Sequence, residues 1–351
     1  MKFDELQNFL DNKAKALEFS HYGISSLSRP LTFEFYKNWL AEGLHGKMEY
    51  LVTHAPFKEK PQIKWPKACS AFVFAVPYYP HPAPAAPFPL KAARVSLYAQ
   101  GYDYHHWFLG KLQSICDELK ALFPEEEFIP MTDSSPVLER DLAFRAGLGW
   151  VGKNTCLIHP KKGSLFFIGE IYSSLSFKLE PQFVHDFCGN CTRCIDICPT
   201  EAISEARKLD ARKCISYLTI ESREIPPVEL REKMGDWFFG CDLCQTTCPW
   251  NQKAFKNQLN FEKIEFHNPE REKLLEEELR WILSSSGKQI ERSFQGLSLS
   301  RAGGFGLKRN ALIVAGNRKI SALKKEIEAL DSHAKLGELA KWALNKILTH
   351  P

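Results

Sequence analysis

CGNCTRCIDICP (residues 188–199) and CDLCQTTCP (residues 241–249) decide how this chain is read. The first stretch places cysteines at 188, 191, 194 and 198 in the spacing C-x2-C-x2-C-x3-C-P. The second places Cys241, Cys244 and Cys248 ahead of Pro249, and Cys214 stands alone between the two. Two-residue gaps turn a chain tightly enough to present successive sulfurs to one small volume. The three-residue gap lets the last cysteine point elsewhere, and the proline after it closes the turn by fixing φ and removing a donor.

That spacing is the ligand pattern of two four-iron, four-sulfur clusters, in which the last cysteine of each run serves the other cluster. The expected sets are Cys188, Cys191, Cys194 and Cys248 for one cluster, and Cys198, Cys214, Cys241 and Cys244 for the other. Zinc also uses paired C-x2-C units, but it does not need third and fourth cysteines in the same short run, each closed by proline. Disulfides need an oxidising compartment, and no signal peptide is seen. The remaining Cys69, Cys116 and Cys156 sit among apolar residues and read as small buried hydrophobes.

The 351 residues, 44% hydrophobic and 25% charged, suit a globular protein of two or three domains with a sizeable core. No apolar run reaches membrane-span length. The first segment, MKFDELQNFLDNKAKALEF, repeats Phe3, Leu6, Phe9, Leu10 and Leu17 near helical spacing and lacks an apolar signal centre or a twin-arginine pair. The expected compartment is the cytoplasm, with no membrane partner. Net charge is +4, unevenly placed: Gly287–Pro351 holds twelve Lys/Arg against five Asp/Glu, so the tail is +7 and the rest −3. Such a tail suits a polyanionic partner, although a solvated helical face explains the charge as simply.

Apolar runs predict strands at Ala71–Val76, Phe128–Met131 and Leu165–Tyr172, and a helix over Tyr104–Leu122. Six prolines from Pro77 to Pro89 predict an extended surface loop. The expected fold class is α+β: an N-terminal α/β or α+β body over residues 1–180, a loop-rich cluster segment with ferredoxin-like cysteine spacing over 181–255, and HEAT-like helical repeats over 256–351.

Two motifs fail in context. Gly147, Gly149 and Gly152 spell G-x-G-x-x-G, but a helical segment precedes them and an extended one follows, the reverse of a dinucleotide site; glycines that admit another large cofactor fit better. Asp103-Tyr-His105 begins the D-x-H-x-x-G motif by which some cobalamin enzymes ligate cobalt, yet Phe108 stands where the glycine should be.

TDSSPVLERDLAFRAGLGWVGKNT (132–155), FIGEIY (167–172), CISYLTIESREIP (214–226), GCDLCQTTCPWN (240–251), YAQGYDYH (98–105) and GLKRNALIVAGN (306–317), taken with the first cysteine run, closely resemble the epoxyqueuosine reductases over nearly the whole chain. The resemblance implies a cobalamin-dependent iron–sulfur enzyme of the last step of queuosine synthesis on tRNA. Its N-terminal domain would hold cobalamin with the lower base detached, and its C-terminal repeats would grip the anticodon stem-loop. Asp133 would be the proton donor; Lys58, Tyr98, Gly169, Ser216 and Asp242 would contact cobalamin; Lys308 and Arg309 would contact tRNA. An Asp that donates near neutral pH needs its pKa raised by burial or a nearby negative charge. Read without the family, Asp133-Ser-Ser-Pro136 is a helix start with Ser135 as N-cap. The chain departs from the family pattern at Lys58, where arginine is expected, and at Asp141, where alanine is expected and a surface change is inferred. A separate flavodoxin- or ferredoxin-type electron donor and a monomeric state are expected. A simple electron carrier would not need some 180 residues before the cysteines, and a reductive dehalogenase would be expected to carry an export signal and no basic tail.

Overall fold

The computed structural model describes residues 3–79, 89–177, 179–180, 182–256 and 268–349; most of the proline-rich stretch after Pro77 lies outside them. Ser70–Pro77, SAFVFAVP, has no polar stripe to offer water. It runs through the middle of a four-stranded sheet, buried at every residue but Pro77. It pairs antiparallel with His21–Ser26 on one side and with Phe166–Ser173 on the other, and Phe128–Met131 pairs antiparallel with the outer edge of Phe166–Ser173. The expected strands and the helix Tyr104–Leu122 are therefore present. The sheet is antiparallel throughout, so the N-terminal body is α+β and not α/β. Its unbroken apolar strand reflects cover on both faces, which a parallel sheet shares.

Side chains alternate between those faces. Phe72, Phe74 and Ile171 pack with Leu6 and Leu10 of the helix Phe3–Ala16 and with Phe108 and Leu112 of Tyr104–Leu122. Ala71, Val73, Ala75 and Tyr172 face Leu142 and Ala143 of the helix Glu139–Arg145. Gly169 lets the long helix press onto the sheet, since a Cβ there would lie 2.8 Å from Phe108 and 2.9 Å from Leu112.

A second core joins the C-terminal helices to Val95, Ile215, Leu218 and Phe238, with Gly303–Asn317 at its centre. Between the two cores, the short helices Arg193–Asp196 and Leu243–Thr246 pack on each other and carry the cysteine runs.

Three expectations need correction. Arg309 is fully buried. Its Nη1 donates to Ser222 O (2.6 Å) and Glu224 O (3.1 Å), and its Nε and Nη2 donate to Asn310 Oδ1. It is an internal strut with no nitrogen left for a phosphate. Asp141 is not on the surface. It is 2% exposed, 2.6 Å from Arg145 Nε, and accepts from the Thr32 N–H and hydroxyl at 2.9 and 3.0 Å. Ser135 does not cap a helix. Its N–H donates to Thr132 O in a tight turn, and the helix begins later, at Glu139.

Candidate active site

Cysteines of the two runs lie near one another in the fold. Cys194 lies within electrostatic range of Cys188, Cys248 and Cys191. Cys214 lies near Cys198, Cys241 near Cys214, and Cys244 near both Cys241 and Cys214. Burial, with the neighbouring thiols adding to it, pushes Cys194 up to about 11. Thiols crowded this way favour binding a cationic centre, which displaces their protons. Among the described residues no three His, Cys, Asp or Glu converge on a single ion.

The G-x-G-x-x-G stretch docks onto these loops. Lys153 Nζ donates to Gly189 O (2.6 Å) and Cys191 O (3.0 Å), Asn154 Nδ2 donates to Cys244 O (3.1 Å), and Trp150 Nε1 donates to Cys188 Sγ (3.4 Å). One short hairpin, Trp150–Val151 against Leu157–Ile158, thereby holds both runs. A Cβ on Gly149 would lie 2.3 Å from Ile158 O, so this glycine admits the opposing strand and not a cofactor. Cys156, expected as an inert core residue, hydrogen-bonds the Cys244 thiol, and Cys69 is exposed; Cys116 alone is buried as expected.

Asp133 follows the strand Phe128–Met131 in the loop 132–138 that leads to Glu139. Across from it, Asp103 caps the helix Tyr104–Leu122 by accepting from His105 N–H at 3.1 Å. The cap sets His105 at the helix start, with Nδ1 2.5 Å from Asp103 and Nε2 2.5 Å from Asp133. Burial opposes a charge on His105, but the two carboxylates more than offset it and raise its pKa to about 10. Burial likewise pushes the Asp133 carboxyl up, yet His105, the Tyr104 hydroxyl and the Arg301 charge hold it below the ordinary range. This corrects the expected direction for Asp133: the resting proton is on His105, between two carboxylates. With Nε2 taken by Asp133, His105 serves that aspartate. The D-x-H triplet was the signal for it, although the sequence motif pointed only to cobalt.

Arg301, from the C-terminal region, pairs with Glu221 at 2.9 and 3.2 Å and feels the charges of Asp133 and Tyr50. Nothing in the sequence singled it out. Tyr98 lies within range of Asp133 and Asp242. Asp242 is 1% exposed and accepts from Ser96 Oγ (2.5 Å) and Leu97 N–H (2.8 Å), which ties the Tyr98 loop to the second cysteine run. Ser216 hydrogen-bonds the Cys214 thiol through its hydroxyl and its N–H. Tyr98 thus lies within range of both Asp133 and Asp242, while Ser216 and Asp242 adjoin cysteines of the second group. Lys58, buried with Nζ 2.9 Å from Val137 O, lies within range of Asp133, Glu139 and Glu170, and Gly169 packs on the long helix. Lys308, half-buried, donates to Leu283 O at 3.0 Å.

Known proteins share these features. Residues 187–251 match a family described as 4Fe-4S double cluster binding domain, and residues 58–134 match one described as Epoxyqueuosine reductase QueG, DUF1730. An epoxyqueuosine reductase of Francisella cf. novicida is 38% identical over 328 residues, spanning 89% of this chain and 88% of that protein. The chain belongs to the epoxyqueuosine reductase family, and is thus an oxidoreductase. A relative from Aliivibrio fischeri is 33% identical over 99% of the chain and 92% of its own length. Among solved members of the family, one bound to an epoxyqueuosine-modified tRNA-Tyr stem loop is 27% identical with a TM-score of 0.80, covering 99% of this chain and 91% of that one. Another, from Bacillus subtilis, has its catalytic aspartate loop swung out of the active site; it is 26% identical with a TM-score of 0.79 and the same coverage. No described helix is long and apolar enough to cross a membrane.

Proposed function

We propose that this protein reduces epoxyqueuosine in tRNA to queuosine, with Asp133 handing a proton to the departing epoxide oxygen. The observation that carries this reading is the Asp103–His105–Asp133 chain, set beside the loop that leads through Tyr98 to Asp242 and the second cysteine group. The two groups of four thiols fit two four-iron, four-sulfur clusters, ligated by Cys188, Cys191, Cys194 and Cys248 and by Cys198, Cys214, Cys241 and Cys244. A separate flavodoxin- or ferredoxin-type protein would supply electrons one at a time.

The phenol of Tyr98, in range of Asp133, and Ser216 and Asp242, beside the second cysteine group, are polar residues that would hold cobalamin. When bound, that cofactor would supply the low-potential centre that delivers two electrons to the epoxide.

The chain's own residues manage the proton. His105 carries it at neutral pH, and Asp133 stands 2.5 Å from Nε2 on the more exposed side of the pair, with its side chain 46% exposed against 31%. As negative charge builds on the opening epoxide oxygen, Asp133 passes on the proton it draws from His105. Asp103 keeps the imidazole oriented and favours its charged form. The C-terminal helices, with their +7 tail, would receive the anticodon stem-loop through salt-dependent phosphate contacts. Arg301 is the tail residue nearest the catalytic pair in electrostatic terms. The modified base would be presented out of the stack.

The test is nucleoside mass spectrometry of epoxyqueuosine-containing tRNA incubated anaerobically with reconstituted protein, cobalamin and a strong reductant. Conversion to queuosine is expected; persistence of the epoxide with both cofactors loaded would overturn the proposal.

A further inference from the structure

Behind the Asp133 loop lie two carboxyl groups that the mechanism above does not use. Glu170 sits on the strand Phe166–Ser173, opposite Val73 on one side and Met131 on the other, and is 0% exposed. Both of its oxygens are buried without a hydrogen-bond partner among the described residues, as is Oε1 of Glu139. Glu139 opens the helix that packs on the same strand. The loop carrying Asp133 is therefore flanked by these acids: Met131, the register partner of Glu170, stands just before it, and Glu139 follows its end. Lys58 holds the loop near its C-terminal end through Val137 O at 2.9 Å.

An ionised carboxylate without a partner is very unfavourable in such a place, and two close together are more so. The groups facing Glu139 are Asp133, Lys58, Arg140 and His105; those facing Glu170 are Glu139, Asp133 and Lys58. Burial, then the charge of Asp133, raises Glu139 to about 8, and burial with the charge of Glu139 raises Glu170 well above the carboxylate range. The buried cation that faces both acids, Lys58, is itself lowered to about 8 by its own burial. At neutral pH both acids keep their protons.

The reaction needs two protons. An epoxide plus two electrons and two protons gives an alkene and one water: both C–O bonds break, the carbons take the electron pair as the double bond, and the oxygen leaves with both protons. The electrons come from the low-potential donor protein. The Asp133–His105 pair holds one proton.

We propose that Glu139 and Glu170 are a buried proton store that returns a proton to the Asp133–His105 pair within each turnover, while bound tRNA covers the site. The proposal rests on the function above, so its test includes a readout independent of turnover. Glutamine has the shape of a protonated glutamate but no proton to give, so Glu139→Gln and Glu170→Gln probe the store without emptying the space.

In the double variant, cluster and corrin spectra are expected to match wild type, multiple turnover to fall at least tenfold, and the wild-type loss of rate above about pH 8 to disappear. Infrared difference spectra of the resting protein at pH 7 are expected to show a buried carboxylic-acid carbonyl band that Glu170→Gln removes. Wild-type turnover and pH profile in the double variant, or no such band in wild type, would overturn the store. A wild-type protein that shows the band but makes no queuosine would support the protonated pair and overturn the assigned reaction instead.

Discussion

The acids on the two sides of the 132–138 loop are held in opposite ways. On one side Asp103 and Asp133 clasp His105 at 2.5 Å each, partly open to solvent, and burial loses to the ion pair. On the other, Glu139 and Glu170 have buried oxygens with no partner among the described residues, and burial wins. Four carboxyl groups of similar intrinsic acidity thus separate into two that give up protons and two that keep them. The difference is made by one imidazole and by depth, which is how a single fold sets acid and base roles apart.

Buried charges elsewhere extend the comparison. Arg309 is buried like Glu170 but fully partnered, so the two should respond to replacement with opposite signs. Arg309→Ala would leave Ser222 O, Glu224 O and Asn310 without their donor and open a cavity, destabilising the protein by about 3 kcal/mol in chemical denaturation. A normal denaturation midpoint, with weaker salt-dependent tRNA binding instead, would return Arg309 to the phosphate-contact role. Glu170→Met removes an orphaned carboxyl while keeping volume, and should stabilise the fold by about 2 kcal/mol even as it slows turnover. A loss of stability would mean that Glu170 has a partner after all.

His105→Gln should lower the rate about tenfold, because Asp133 loses both its proton source and its orientation. The same variant tests linkage. The raised pKa of His105 gives a stabilising contribution that is full below about 6.5 and lost as pH rises through about 10. Wild-type Tm should therefore decline over that interval more steeply than that of His105→Gln, and parallel curves would break the pairing. The smallest effect is expected at Lys308, already bonded to Leu283 O. Lys308→Ala should shift tRNA affinity by less than about threefold and lower the salt slope by at most about one.

Much of this was legible in the residues. Cysteine spacing is local, and it pointed to a double-cluster segment, which the family match over residues 187–251 supports. The strand at 70–77 and the helix at 104–122 followed from apolar pattern alone. The sheet's antiparallel order did not, because an apolar strand covered on both faces reads alike in either arrangement.

Side-chain destinations were the hardest to read. Lys308 and Arg309 are adjacent and both basic, yet helix geometry sends one toward the surface and the other into the core. Asp141 looked like a surface exchange because its partners, Arg145 and Thr32, lie a helical turn and more than a hundred residues away. His105 was noticed only through a cobalt-ligation motif that Phe108 leaves incomplete. The partner that decides its role, Asp133, is distant in sequence and meets it only because Gly169 lets the long helix settle onto the sheet.

The most direct test of the account is single-turnover reduction of epoxyqueuosine tRNA by wild type and Asp133→Asn, each loaded with clusters and cobalamin and given stoichiometric reductant, with the nucleosides followed by mass spectrometry. The account predicts conversion by wild type and at least a hundredfold slower conversion by the variant, with unchanged cluster and corrin absorbance. Conversion by Asp133→Asn at close to the wild-type rate would contradict it.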